Sequence, residues 1–472
     1  MKKTILYILS IFILFSCATT PLEISDSDSK LRMIGGKEAL LDAIVYPEFA
    51  LRKGIEGVVT VLAYVDTLGS VIECKIVEGN EFLNEAAICA LTKQRFHPYV
   101  LQGKKRPVRI AIPISFTISK DIDVKDFDTE RILHFAEKYI NEPVIPLTEH
   151  PSDRSPGTKN DYYSEGKTWW PKPDAPDSPY MIKEGEENPE AFTVHKELLE
   201  RLGEIVPGLT AAYLVSAKKG YALKAVEHLK AWFIDPTTSM VPHLNYSQAI
   251  PNRTKGRAVG IIEGLPLVEI IQSLQYLGDF LSEKERNTIN TWLNEYEHFL
   301  EFGDNSEYLM NRKDNYSTAW LLQLSAIAKH LDDDELMANS LDYFRQHTLV
   351  FVLKDNSFYF NPAWNRKLEY NIFLMGDMLA LEAALLKDRD LDPWKEGYYT
   401  GKRVGDLINY LYSGILNNEL KTMGNYDGRF LSLLFAGKAY DNTRYLELWR
   451  DLQYEEPKGS EFPVRQPILW IK

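Results

Sequence analysis

From Phe192 to Leu452 the chain is written in one period, and this constrains its fold more than any other feature. Apolar residues recur at helical spacing through Leu198–Ser216, Tyr221–Phe233, Ile262–Leu281, Glu283–Phe302, Thr318–His330, Asp334–Phe351, Tyr370–Leu386 and Val404–Leu416, with shorter pieces to Leu452. Ser282 followed by Glu285 is a capping box at one helix start. Loops of a few residues join neighbouring stripes, so consecutive helices are expected to pack as antiparallel hairpins. Long polar loops interrupt some junctions. An all-α array of this kind suits an incomplete (α/α) toroid.

The 472 residues are more than one such array needs, and two domains are expected. The first residues read as a targeting segment. Lys2 and Lys3 precede an apolar run, Ile5–Phe15, too short to span a bilayer as a mature helix. Leu14-Phe15-Ser16-Cys17 resembles a bacterial lipobox, which implies a signal peptide over 1–16, lipidation at Cys17 and a tether over 17–33. The other reading is an ordinary secretory signal with a chance cysteine, and either one takes the protein out of the cytoplasm. No acidic run follows Cys17, so the lipoprotein reading points to the periplasmic face of the outer membrane. The net charge of −13 argues against a nucleic acid partner. Basic residues near 253–257 and 312–313 nevertheless provide a local field for an anionic ligand. Cys74 and Cys89 are the remaining cysteines, and spacing alone leaves their pairing open. Nothing has metal-ligand spacing such as HExxH, so no metal or other cofactor is expected.

Residues 34–118 read as a small α+β unit. Gly36–Lys53 has helical character broken at Tyr46-Pro47. Gly57–Val65 and Val71–Val77 alternate as a hairpin around Thr67-Leu68-Gly69. Leu83, Ala86, Ala87, Ala90 and Leu91 form a helical stripe, and Val108–Phe116 is a last strand. Tyr46-Pro47, Gly54-Ile55-Glu56-Gly57, Val65-Asp66 with Gly69, Arg95-Phe96 with Pro98, Gly103-Lys104 and Pro113-Ile114 carry a resemblance to the C-terminal domain of TonB-type energy transducers. It implies a module that grips periplasmic segments of outer-membrane proteins by strand addition. The alternative is a structural appendage. Residues 119–148 are charged, then Pro-, Ser- and Thr-rich, and read as a linker with a short helix at Thr129–Ile140.

The domain over 149–472 opens on Asp161-Tyr162-Tyr163-Ser164-Glu165-Gly166 and Trp169-Trp170-Pro171. Its densest chemistry lies in Met240–Ile262, where His243, Asn245, Tyr246 and Gln248 precede a turn holding Arg253, Lys255 and Arg257. Such a run makes a poor core, because its polar groups need partners, and a good cleft wall for a polar anion. Both stretches, and more weakly Phe462–Trp470, resemble motifs of the alginate lyase superfamily, polysaccharide lyases with helical toroid folds. The resemblance spans roughly Glu149 to the end.

A uronate lyase must neutralise the C6 carboxylate, abstract the C5 proton and protonate the leaving oxygen. The resemblance carries Asn315 onto a family Asn and Tyr370 onto the family Tyr, with Tyr316 standing where the family has His. These three are the expected catalytic residues. His243, Tyr246, Gln248, Arg257, Arg366, Trp169 and Trp170 are expected to bind an anionic uronate polysaccharide or oligosaccharide. Each has a plainer reading. Tyr370 suits a core aromatic, Asn315 a helix N-cap, and the two Trp residues anchors for irregular chain. Pro266 and Trp364 also replace a family His and Arg. Two functions therefore stand, an active lyase and a degenerate module that binds oligosaccharide or docks a partner.

Overall fold

The computed structural model describes residues 22–24, 31–34, 40, 43–47, 49–50, 53–116, 123–183, 185–312, 314–348, 368–387, 392–394, 404–416, 430–440, 442–452 and 466–471. The leader, Cys17, Lys313, Trp364 and Arg366 lie outside these residues, as does most of the helical reading of Gly36–Lys53. Two compact units divide the chain, Met1–Ser119 and Lys120–Lys472.

In the first unit a four-stranded sheet runs in the order β1-β6-β2-β3. The strands are β1 (Leu22–Ile24), β2 (Gly57–Val65), β3 (Val71–Glu78) and β6 (Val108–Phe116). The short hairpin β4 (Val100–Leu101) and β5 (Lys104–Lys105) stands apart. β2 is antiparallel to both β3 and β6, while β1 lies parallel to β6. Period-two alternation sends Val59, Val61, Ala63 and Val65 to one face beside Val108, Ile110, Ile112, Ile114 and Phe116. Helix α1 (Glu81–Thr92), capped by Asn80, covers that face with Leu83, Ala86, Ala87, Ala90 and Leu91. In the β2–β3 turn the Asp66 carboxylate accepts from the Leu68 and Ser70 amides. Gly69 there has φ 86°, and a Cβ would lie 1.8 Å from the Phe96 carbonyl oxygen, so only glycine fits. Cys74 on β3 and Cys89 on α1 are unpaired thiols.

The second unit is a double layer of helices. Its inner members are α2 (Val124–Tyr139), α3 (Val194–Ser216), α5 (Pro266–Leu277), α8 (Asn315–Leu331), α10 (Leu368–Leu385) and α12 (Leu431–Ala439), each packed on the next. The outer members are α4 (Lys219–Leu229), α6 (Glu283–Phe302), α9 (Asp334–Tyr343), α11 (Val404–Leu416) and α13 (Thr443–Asp451). A five-residue helix α7 (Ser306–Met310) links α6 to α8. This is the paired, antiparallel arrangement that the periodicity implied. Three core indoles each donate to a backbone carbonyl: Trp232 to Ile145, Trp292 to Met240 and Trp320 to Leu300. The C-terminal turn Pro467–Leu469 lies along the inner helices. Gln466 N–H donates to the buried Glu269, the Tyr276 hydroxyl donates to the Leu469 carbonyl, and Trp470 meets Phe435.

One expectation is corrected here. The stretch read as a linker over 119–148 contains α2, which starts earlier than Thr129 and belongs to the helical core. It buries Val124, Ile132, Ala136 and Tyr139 against α3 and its neighbours. Fully burying such apolar side chains is worth roughly 1.5–3 kcal/mol each, which outweighs the polar character of the intervening positions.

α8 and α10 meet through a buried polar contact, the Ser325 hydroxyl donating to Glu382. Burial raises the Glu382 carboxyl to about 8, with the Ser325 bond acting the other way. The native state thus keeps this proton while the unfolded chain loses it above the ordinary carboxyl range. The stability it confers is complete below that range and is lost as pH rises towards about 8, by roughly 1.4 kcal/mol per pH unit. Melting temperature should accordingly fall between pH 5 and 8, and Glu382→Gln should flatten that slope. An unchanged slope in the variant would remove Glu382 from this role.

Candidate active site

Two short strands at the rim of the helical unit position the site. β7 (Tyr163–Glu165) and β10 (Tyr246–Ala249) pair in parallel, with a register irregularity in β10. β7 is pinned by His195 in the first turn of α3. The imidazole Nδ1 accepts from the Tyr163 amide, and Nε2–H donates to the His150 carbonyl. Burial holds the His195 pKa below its usual value, consistent with a neutral ring using both nitrogens this way. Glu165 accepts from Arg154 in a bidentate pair and from the Tyr163 hydroxyl.

Gln248 in β10 has φ 54°, the left-handed region, where a side chain beyond glycine costs of order 1–3 kcal/mol. A network over-determines it. Its backbone N–H donates to Ser164 Oγ at 2.8 Å, and its amide Nε2 donates to Glu263 Oε1 at 2.5 Å. Its carbonyls in turn receive Arg257, Nε to the backbone oxygen at 2.7 Å and Nη2 to Oε1 at 2.8 Å. Glu263 is 3% exposed and accepts also from the Tyr162 and Ser164 hydroxyls, at 3.0 and 2.5 Å. Burial raises its pKa despite those three side-chain donors. Gln248, expected to bind substrate directly, uses one donor and one acceptor of its amide to link Glu263 to Arg257. Burial lowers the Arg257 pKa, but a guanidinium stays charged.

Tyr316 sits in the first turn of α8, beside Arg312, whose guanidinium carbon lies 5.1 Å from the Tyr316 ring centre. Arg312 is tied to Asp314. Asp314, not Asn315, is the N-cap of α8, in a capping box with Ser317. This removes the capping reading of Asn315, which is the first helical residue. Asn315 is 6% exposed, and its side-chain Oδ1 is buried with no hydrogen-bond partner. Gln323, one face further along α8, is wholly structural. It accepts from Tyr296 and donates to the Ile261 and Ala319 carbonyls.

His243 Nε2 lies 3.0 Å from Asp161 Oδ1, and its ring stands edge-on to Tyr246 at 5.6 Å. Burial lowers its pKa, with Asp161 opposing. The imidazole therefore buttresses the wall that carries Tyr246. Trp169 and Trp170 form β8, paired with β9 (Met181–Ile182). Arg253 lies 4.9 Å from the Trp169 ring centre and Lys183 4.4 Å from that of Trp170. At least one face of each indole thus carries a cation, where stacking on sugar had been one expectation. Tyr370 lies in the first turn of α10 with helical backbone, and its side chain, like all of Arg366, falls outside the described residues.

The structure thus places Arg257 on Gln248, with Tyr246 in the same strand and His243 against Tyr246, while Asn315 and Tyr316 open α8 with Arg312 over the Tyr316 ring. Sequence reasoning missed Glu263 and Asp161 as partners. The signal was present, since Asp161-Tyr162-Tyr163-Ser164 had to face something, but which acid it faced is a tertiary matter.

A double layer of paired helices is the fold of a solved polysaccharide lyase. Residues 147–421 match the alginate lyase family, and the chain belongs to that family. Residues 42–118 match the Gram-negative bacterial TonB protein C-terminal family, and the first unit is a TonB C-terminal-like domain. A solved alginate lyase from Bacteroides ovatus shares the fold, with TM-score 0.62 and 22% identity over 74% of this chain and 95% of that one. An alginate lyase from Sphingomonas species A1 aligns at 13% identity and TM-score 0.41, over 67% of this chain and 89% of that one. Protein TonB of Vibrio cholerae is 36% identical over 87 residues, which are 17% of this chain and 36% of that protein. Protein TonB of Xanthomonas campestris is 30% identical over 76 residues, 16% of this chain and 34% of that protein. The chain thus spans about a third of the length of these curated relatives.

Proposed function

We propose that the helical unit is a polysaccharide lyase cleaving a uronate-containing, alginate-like polymer by β-elimination. The observation that carries the reading is the strained Gln248, clamped by Glu263 and holding the Arg257 guanidinium by two hydrogen bonds. Strain that a network maintains around a guanidinium is what a preorganised anion site requires. In this reading Asn315, Tyr316 and Arg257 neutralise the C6 carboxylate so that it accepts enolate charge. Tyr370 takes the C5 proton and returns it to the leaving oxygen, and Arg366 adds positive charge. Family membership and the fold shared with the Bacteroides ovatus alginate lyase support the substrate class. The test is a panel of uronate polymers incubated with the wild-type protein. A rise in unsaturated-uronate absorbance with at least one of them is expected.

A second reading has its own observation. Tyr316 replaces a family His, and Pro266, which sits at the start of α5, replaces another. A degenerate module that binds oligosaccharide without cleaving it fits those replacements. Binding of a uronate polymer with no unsaturated product from any of them would select it.

The TonB-like unit and the lyase family support a location in the envelope or outside the cell. The lipobox reading adds a lipid tether to the outer membrane through Cys17, and the TonB-like unit would dock a periplasmic or outer-membrane protein. Metabolic labelling with a fatty acid should tag the wild type but not Cys17→Ala. Equal labelling of both would end the lipid-anchor proposal.

A further inference from the structure

Beside the Arg257 network lies a separate cleft of about 450 Å³, lined by Arg154, Tyr163, Ile250, Asn252, Arg253 and Lys255 among others. Neither Gln248 nor Arg257 lines it. Its wall is a tightly bonded turn. The Arg253 and Thr254 amides both donate to the Ile250 carbonyl at 2.9 Å, the Ile250 amide donates back to Thr254 at 3.0 Å, and the Thr254 hydroxyl donates to the Gly256 carbonyl at 2.6 Å. Asn252 takes φ 57°, which a short polar side chain tolerates. Gly256 closes the turn, where a Cβ would lie 2.0 Å from the Asn245 carbonyl oxygen.

This turn presents Arg253 and Lys255 into the cleft. No carboxylate among the described residues pairs with either, whereas Arg154 opposite them is already neutralised by Glu165. Arg253 and Arg257 lie 4.9 and 5.8 Å from the centre of one Trp169 ring, so the cleft and the Arg257 network share an indole. On a chain of net charge −13, two unpaired cations held by a rigid turn beside a third make a local field for a polyanion.

We propose that this cleft is a second binding subsite, taking a carboxylate-bearing sugar unit of the same polymer whose neighbouring unit lies at Arg257. Arg253 and Lys255 bind the carboxylate, and Ile250 and Pro251 supply an apolar wall for the sugar ring. The proposal rests on the uronate reading of the Arg257 site and extends it along the polymer.

The test is calorimetric titration of the full chain with a mannuronate hexamer, for wild type, Lys255→Gln and the Arg253→Gln/Lys255→Gln double variant. Both side chains are exposed, so the fold should survive. The double variant should bind the hexamer about tenfold more weakly, with a shallower dependence on salt, and Lys255→Gln should show a smaller fall in the same direction. A carboxyl-reduced hexamer should bind all three proteins alike. If the double variant melts at lower temperature, Lys255→Gln alone decides, because that side chain makes no hydrogen bond among the described residues. Hexamer affinity and salt dependence unchanged in both variants would overturn the proposal, as would an equal loss for the carboxyl-reduced hexamer. Tighter binding of a sulfated hexasaccharide than of the mannuronate hexamer would overturn the assignment to a carboxylated sugar. Hexamer binding that depends on Arg253 and Lys255 without any unsaturated product sustains the subsite and ends the lyase reading. Cleavage with hexamer binding indifferent to both substitutions does the reverse.

Discussion

Tyr370→Phe is expected to lower turnover of a uronate polymer by about 10² or more, the scale of a lost general acid–base. The substitution removes one hydroxyl and keeps the ring. Tyr370 lies in the first turn of α10, and Met378, Leu379, Leu381 and Leu385 are among the described residues that this helix buries. Folding should therefore survive, and the melting temperature should stay within a few degrees of the wild type. The measurement is the initial rate of unsaturated-uronate formation at saturating polymer. Turnover equal to the wild type would place the base elsewhere. Tyr316 and Tyr246 are then the next phenols to replace, the one in the first turn of α8 and the other in β10. Arg257→Lys is the companion variant. It keeps a charge but loses the fork that grips Gln248, so it separates charge from geometry.

Glu263→Ala should cost about 3–5 kcal/mol of stability, read as a shift of the denaturant midpoint. The carboxylate accepts from Tyr162, Ser164 and Gln248 in a site that water does not reach. Its removal strands three donors at once, the buried Tyr162 and Ser164 hydroxyls and the half-buried Gln248 amide. It also releases the clamp on Gln248, which would then relax from its left-handed backbone and let Arg257 swing. Activity should fall with stability, and more than stability alone accounts for at temperatures well below the melting point. Glu263→Gln should cost less, because it keeps one acceptor oxygen while turning an NH₂ towards a donor. A loss below about 1 kcal/mol for the alanine variant would mean that the network is incidental to the fold.

Much of the architecture was legible because it is periodic. β2 and β6 were read with their observed limits, since alternation reports a half-buried sheet directly. The stripe from Leu83 to Leu91 is the buried face of α1 residue for residue. Helix ends were less legible. α3 begins at Val194 rather than Leu198, and the stripe read over Tyr221–Phe233 ends in a π-helical turn at Lys230–Ile234 that no apolar pattern announces. α2 was misjudged because its charged residues dominate the composition, while only four or so positions touch the core.

The site divides in the same way. His243, Tyr246, Gln248, Arg257, Asn315 and Tyr316 were singled out as chemistry that a core would not tolerate. Their division of labour came only with the structure. Gln248 aims Arg257, His243 leans on Asp161, Asp314 frees Asn315 from capping, and cations cover Trp169 and Trp170. The sequence by itself determined the two-module composition, the helical array and the residue types available at the rim, because these follow from local periodicity and side-chain chemistry. Only the tertiary structure decided which of those groups are spent on one another. Hydrogen bonds between residues a hundred positions apart, such as Tyr162 to Glu263, are set by how the helices pack and leave no trace in spacing.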